Sequence, residues 1–501
     1  MSRPWLAFWL IAAGGLSAAA AGDDTDLQKT QALQKVLHKI ITQVEPSVAC
    51  IVVSRSDAYH TLGLGPDKDH PGQLGDFDPE ILKTKPGLAA PKDRIPWQKK
   101  LDLADPGHVP QAFGSGVVID STGLVLTNYH VVQDATKLYV RLPGGKASYA
   151  DVHAADPRSD LAVLRLLNTK LLPLEPVRLG DADKMERGHF VLSIANVFAA
   201  GFRDGQPSAS WGILSNVRRR AAANPRDEDQ TKPLHYYGTL LQTDARLHLG
   251  CSGGALVNLQ GEMIGLTTAL AAIQGGETPG GFAIPINAGL ARIIEVLKRG
   301  EEVEYGFLGV TFDERVPDGS PGVTVASAYP GSPAFIEAKL RGKEIIVAIN
   351  GTPLQQSDDL LVSLGTQLAG SKVRLQIRRG KELYAAEVKL AKLYVPGKKI
   401  ASSLGKRPYS RGLRVDYTSL LVQKPPRLSS MPPGVLVSEV KPNSSADRAF
   451  FKPGDIITHV NGRPVNTPEA FYAATEGVND ALELTLYNYS PQEPPTRVIL
   501  K

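Results

Sequence analysis

Residues 242–268 read QTDARLHLGCSGGALVNLQGEMIGLTT, and this stretch decides the fold. At its centre, Gly250-Cys251-Ser252-Gly253-Gly254 sets a hydroxyl among glycines. Such a loop turns tightly enough to expose the Ser252 Oγ and to aim the backbone N–H groups of Gly250 and Ser252 at one point. A nucleophile facing an oxyanion hole needs that arrangement. Downstream, Gly254-Ala255-Leu256-Val257, a polar Asn258-Leu259-Gln260-Gly261 and then Met263-Ile264-Gly265-Leu266 predict strand, turn and strand. Read alone, the string also fits a hairpin with a flexible glycine tip, so a base and its orienter must be found elsewhere.

A serine hydroxyl attacks well only when a neighbouring base takes its proton, and histidine titrates in the right range. Of the ten histidines, His130 stands out because polar residues interrupt an apolar run in Leu126-Thr127-Asn128-Tyr129-His130-Val131-Val132. The base in turn needs a carboxylate to hold its tautomer. Asp160 is the best candidate, since Asp156-Pro157-Arg158-Ser159-Asp160 leads into the apolar run Leu161 to Leu166.

Around these residues the texture is that of short strands. Gly116 to Asp120 and Gly123 to Asn128 predict a hairpin tipped by Ser121-Thr122, and further runs follow at Leu138 to Leu142, Leu161 to Leu166 and Phe190 to Ile194. Many short strands with turn signals at this spacing indicate an all-β barrel or sandwich. Helical periodicity returns at Ala288 to Lys298. Upstream, Leu33, Val36, Leu37, Ile40, Ile41 and Val44 predict an amphipathic helix over Asp26 to Val44, followed by a buried strand from Val48 to Val53. Ser54 to Gln111 is rich in Pro, Gly and Asp without periodicity and reads as a long surface loop.

The C-terminal part contains a repeat. Gly322-Val323-Thr324-Val325, Pro330, Ser332, Ala334, Ile345-Ile346, Asn350-Gly351 and Pro353 return as Gly434-Val435-Leu436-Val437, Pro442, Ser444, Ala446, Ile456-Ile457, Asn461-Gly462 and Pro464. Copies this long are independent small domains, because solenoid repeats have periods of about 20 to 50 residues.

The 501 residues exceed what one core accommodates and point to about three domains. With 42% hydrophobic and 21% charged residues the chain has ordinary globular composition, and a net charge of +5 does not argue for nucleic acid. Arg3, the apolar run Trp5 to Ala13 and Ala19-Ala20-Ala21 form an export signal cleaved near Ala21, with an uncleaved anchor as the alternative. Cys50 and Cys251 are the two cysteines and read as free thiols, although a bridge between them is compatible with the sequence. No H-E-x-x-H string or clustered Cys/His set is present, so neither metal nor cofactor is implied.

His130, Asp160 and Ser252 follow one another in the chain order of chymotrypsin-like proteases. Together, Thr127 to Val132, Ser159 to Leu164, Gln242 to Ala245, Gly250 to Gly254 and Gly281-Phe282-Ala283-Ile284-Pro285-Ile286 resemble the HtrA (Deg) family of exported serine proteases. The resemblance implies a mostly β chain: a chymotrypsin-like double β-barrel protease domain over 22–300, including the 54–111 loop, after a signal peptide at 1–21. It further implies PDZ-like α+β domains over 303–390 and 410–501, with 391–409 as linker. By the same resemblance, Ser252 is the nucleophile, His130 the base and Asp160 its orienter. Gly250 and Ser252 supply the oxyanion hole, and Leu266, Thr267 and Thr268 border the substrate. Tyr305, Gly306, Phe307, Leu308 and Gly309 form a carboxylate-binding loop, whereas the second copy offers only Arg411-Gly412-Leu413-Arg414-Val415.

The implied function is an ATP-independent endopeptidase acting on unfolded or misfolded proteins and C-terminal peptides. It would be exported to the periplasm, with secretion as the alternative, and assembled from trimers. Two departures matter: Cys251 stands where the family has Asn, and Ala195-Asn196-Val197-Phe198-Ala199 replaces Gly-Asn-Pro-Phe-Gly. They leave a second reading open, a catalytically weak peptide-binding scaffold or chaperone with a poorly formed oxyanion loop. An exported adaptor working through its PDZ pair is a third.

Overall fold

The computed structural model describes residues 15–66, 70–78, 101–107, 112–219, 234, 239–268, 280–313, 319, 321–396, 400–402, 407–478, 480–489 and 496–500. The apolar run Trp5 to Ala13 of the expected signal lies outside them. A helix runs from Gly15 to Val44, starting earlier than periodicity alone predicts, and its C-terminal Ile40 and Val44 are buried.

The first six strands are β1 (Val48–Ser54), β2 (Ala112–Val118), β3 (Leu124–Asn128), β4 (Lys137–Leu142), β5 (Lys146–Asp156) and β6 (Leu161–Leu166). Their order β5-β4-β1-β2-β3-β6 closes through β5 and β6, with Asp156 opposite Leu161. Closure leaves no unpaired edge to aggregate. β7 (Arg178–Leu179) is appended in parallel to the second barrel, which comprises β8 (Phe190–Ala195), β9 (Ser208–Arg219), β10 (Leu240–Thr243), β11 (Ala255–Val257), β12 (Glu262–Thr268) and β13 (Gly281–Pro285). This barrel runs β11-β8-β9-β10-β13-β12 and closes where Ala255 pairs Leu266. The expected double barrel is therefore present.

β1 lacks polar alternation because both of its faces are covered. Ala49, Ile51 and Val53 face the barrel core, and Cys50 and Val52 face Tyr59, Leu62, Phe77, Leu101 and Leu103. Those partners belong to the stretch read as a surface loop. Its described parts instead form an outer layer on the barrel, tied by Lys137 Nζ, which donates to the Leu74, Gly75 and Asp76 carbonyls, and by Asp151, which accepts from Leu74 N and Gly75 N. Aromatic and leucine side chains without period bury as well as periodic ones when their backbone polar groups find partners.

The repeat is visible in three dimensions. One five-strand order runs through Val310–Asp313, Val323–Ala328, Ile345–Ile349, Lys372–Arg379 and Glu382–Lys389, and the second through Leu413–Tyr417, Val435–Val440, Ile456–Val460, Leu482–Leu486 and Arg497–Leu500. Asn350-Gly351 and Asn461-Gly462 are all at positive φ, as the tight hairpin turn requires, and each Asn Oδ1 accepts an N–H from the next strand, of Arg374 and Glu483. Ser332 and Ser444 cap the same short helix in each copy.

The 391–409 stretch, expected as a linker, is built into the molecule wherever it is described. Ala391–Lys392 pairs with Gly306–Phe307, and Ile400–Ala401 pairs with Ala154–Ala155 of β5. Lys392 Nζ is buried against Glu304 at 2.8 Å, Asp416 at 2.9 Å and Glu302 at 3.6 Å. Burial pulls its pKa down, but the three carboxylates outweigh this and raise it.

Candidate active site

His130 and Asp160 come from loops at one end of the first barrel. His130 lies in a single helical turn, Tyr129–Val132, directly after β3, and Asp160 immediately precedes β6. β3 and β6 are paired, so Asn128 sits opposite Leu161 and the two loops meet. His130 Nδ1 lies 2.8 Å from Asp160 Oδ2 and 3.0 Å from Oδ1, and His130 N donates to Oδ1 at 3.0 Å. Asn128 Nδ2 donates to Oδ2 at 3.3 Å, and Tyr129 N to the Asp160 carbonyl at 3.0 Å. Asp160 adopts φ 57°, a left-handed conformation that Asp tolerates better than most residues and that such sites retain at a cost. An ionised carboxylate only accepts, so Nδ1 carries the proton and Nε2 keeps its lone pair. Burial lowers the His130 pKa, but the Asp160 charge and hydrogen bond exceed this and raise it overall, with Arg55 opposing.

Ser252 is contributed by the second barrel and is buried. Its carbonyl accepts from Ser115 N of β2 at 2.8 Å. Gly114 explains the fit: a Cβ there would lie 2.6 Å from Val131 and 3.3 Å from the Ser252 carbonyl, so one glycine admits both the residue after His130 and the serine loop. Gly253, at φ 87°, is pressed so close that a Cβ would fall 2.0 Å from the Ser115 carbonyl.

The loop before Ser252 is held from several sides. Ser115 Oγ donates to the Gly250 carbonyl at 2.7 Å and accepts from Asn196 N at 2.8 Å. Phe198 N donates to the Leu249 carbonyl at 2.7 Å. A planar trans peptide directs its N–H opposite to its carbonyl, so this bond fixes where the Gly250 N–H points. Phe198 and Ala199 sit at φ 50° and 54°, strained for residues with a Cβ. Cys251 is buried, its Sγ accepts from His248 N at 3.4 Å, and burial raises the thiol pKa.

The other predicted site residues divide. Leu266 is a core residue of the second barrel. Thr267 braces the serine loop, with its carbonyl accepting from Gly253 N, its N–H donating to the Gly254 carbonyl and its hydroxyl to the Cys251 carbonyl. Thr268 Oγ1 is buried without a hydrogen-bond partner among the described residues. In the first repeat, Tyr305 is fully buried with its hydroxyl on Asp156, and Gly306 N donates to the Gln367 carbonyl. Those two therefore do not line an open loop; Phe307 is half-buried, whereas Leu308 belongs to the domain core and Gly309, at φ 85°, is buried against Ser332. Ser115 was not singled out from the sequence, and Asn196 and Phe198 stood out only as part of a departure from the family pattern. For Ser115 a signal existed in Gly114-Ser115-Gly116, where two side chains are missing from a buried strand.

A trypsin-like peptidase domain matches residues 114–266, with PDZ domains matching 306–390 and 436–487. The chain is 30% identical over 469 residues to the periplasmic serine endoprotease DegP of Salmonella typhimurium, covering 91% of this chain and 90% of the relative. It is 31% identical over 389 residues to a probable periplasmic serine endoprotease DegP-like of Pseudomonas putida (strain W619), covering 75% and 76%. The solved HtrA-type protease AlgW with tripeptide superposes with a TM-score of 0.47 at 23% identity, over 71% of this chain and 97% of that one. The chain belongs to the DegP family of serine endoproteases and is a serine endopeptidase with two PDZ domains.

Proposed function

We propose that this chain hydrolyses unfolded or misfolded proteins in the periplasm, without ATP, through Ser252, His130 and Asp160. The observation that carries the reading is the His130 to Asp160 pairing beside a serine loop pinned to Ser115. Ser252 Oγ attacks the scissile carbonyl carbon while His130 Nε2 takes its proton. The oxyanion forms at the N–H groups of Gly250 and Ser252. His130 then protonates the leaving amine, and water reverses the sequence on the acyl-enzyme. Asp160 stabilises the imidazolium throughout. The names of the relatives support a periplasmic location over secretion. Phe307, Leu308 and Gly309 would receive the C-terminal carboxylate of a peptide added along Val310–Asp313.

The Phe198 bond to the Leu249 carbonyl holds the Leu249–Gly250 peptide in one orientation, and a preorganised oxyanion hole requires such rigidity. Fluorophosphonate labelling with peptide mapping, beside casein cleavage, tests the proposal. Label on Ser252 and loss of both signals in Ser252→Ala are expected, and casein cleavage undiminished in Ser252→Ala would refute it.

A further inference from the structure

We propose that Arg55 is a positioning residue for the base: its guanidinium closes the C-terminal end of the helical turn that carries His130 and tunes how readily the imidazole takes up a proton. The inference rests on the triad reading above.

A single helical turn cannot satisfy its own ends, so its last carbonyls need outside donors. Here Arg55 Nε donates to the Gln133 carbonyl at 2.8 Å, and Nη2 to the Val131 carbonyl at 3.0 Å and the His130 carbonyl at 3.5 Å. A planar fork reaches several acceptors in one geometry, which an ammonium cannot do as well. The backbone beside Arg55 is itself anchored, because the Ser54 carbonyl accepts from both Thr136 N at 2.8 Å and Thr136 Oγ1 at 3.1 Å. The turn is thus gripped at both ends: Asp160 takes His130 N and Nδ1, and Arg55 takes the carbonyls that follow.

The same guanidinium acts on charge. The charged groups that bear on the imidazole are Asp160, from the loop before β6, and Arg55, from the end of β1. The neighbouring Tyr129 phenol is kept neutral by burial and by Asp134, Asp160 and Asp156. Arg55 opposes the upward pull of Asp160 and keeps more of the imidazole neutral near pH 7. Arg55 is exposed, so water screens its field and the effect is modest.

The test compares full-length protein with Arg55→Ala and Arg55→Lys, recording kcat/KM on a peptide substrate from about pH 5 to 9 together with thermal unfolding, and Ser252→Ala as background. In Arg55→Ala the acid limb moves to higher pH, and the plateau falls roughly three- to tenfold. Arg55→Lys restores the limb but not the full plateau. An unmoved limb in Arg55→Ala overturns the proposal, whether the plateau holds or falls only in step with the melting temperature. Hydrolysis that persists in Ser252→Ala is a separate result, since it removes the triad reading and this inference with it.

Discussion

The Tyr305 hydroxyl donates to the Asp156 carboxylate, joining the segment that opens the first PDZ domain to the loop that carries Asp160. Asp156 Oδ2 also accepts from Ser159 N at 2.9 Å and Ser159 Oγ at 2.6 Å, and the Arg158 guanidinium lies 4.5 Å from the centre of the Tyr305 ring. Both partners are buried, so removing the hydroxyl leaves a carboxylate short of a donor. Tyr305→Phe should cost about 1 to 3 kcal/mol in denaturant unfolding and lower kcat more than it changes KM. Unfolding and kcat both equal to those of the natural protein would show that the contact transmits nothing.

The His130 pKa sets the pH dependence. In the proposed mechanism neutral imidazole is the working form, and Asp160 raises the pKa despite burial, so kcat/KM should fall on the acid side with a midpoint above the ordinary histidine value of about 6.5. The linked stability has the opposite sense: the His130 to Asp160 ion pair stabilises fully below the unfolded pKa and is lost as pH rises through the folded one. Asp160→Asn should move the limb down and reduce kcat by about 10⁴-fold. A pH-rate profile of both proteins checks this.

Gly253→Ala should abolish peptide hydrolysis. The position is at φ 87°, and a methyl would meet the backbone carbonyl of Ser115, which has no rotamer to escape into. Circular dichroism should still show the β spectrum, because the clash is confined to the serine loop. Retained hydrolysis would mean that the loop relaxes without loss of geometry.

Cys50 and Cys251 are buried, and burial pushes the Cys50 pKa up to about 12. Neither thiol should react with Ellman's reagent in the native protein, and both should react after denaturation. An inaccessible protonated thiol is a poor redox sensor, so oxidation of Cys251 should not regulate the neighbouring serine. Rapid native labelling at Cys251 would show the opposite.

Lys392→Met should leave Glu304 and Asp416 facing each other without their shared cation. Only Lys392 is buried and Glu304 keeps Arg407 at 2.9 Å, so the loss costs about 1 to 3 kcal/mol, read as a lower first transition in thermal unfolding and faster protease nicking near residues 391–409. An unchanged transition would show that other contacts hold the second PDZ domain in place.

The strands, the Gly250 to Gly254 loop, the repeat and its Asn-Gly turns were legible in the sequence because each rests on local chemistry: a period of two, a positive φ, a capping serine. Two readings went astray for one reason. The Ser54 to Gln111 stretch lacks periodicity, yet Tyr59, Phe77, Leu101 and Leu103 bury against the outer face of β1. Tyr305 reads as part of a binding loop, yet its side chain completes the polar cluster at Asp156. In each case the partner is far away in the chain, and no local pattern reports it.

By itself, the sequence determined that the chain would be built of short strands followed by two copies of a smaller domain, and it singled out Ser252, His130 and Asp160 as candidates for acyl transfer. Only the tertiary structure decided that Ser115 and Phe198 would hold the serine loop, that Arg55 would reach the carbonyls behind His130, and that the 391–409 stretch would return to β5. Backbone propensity and patterning act over a few residues, whereas a hydrogen bond to a distant carbonyl exists only once the barrels have brought donor and acceptor within about 3 Å.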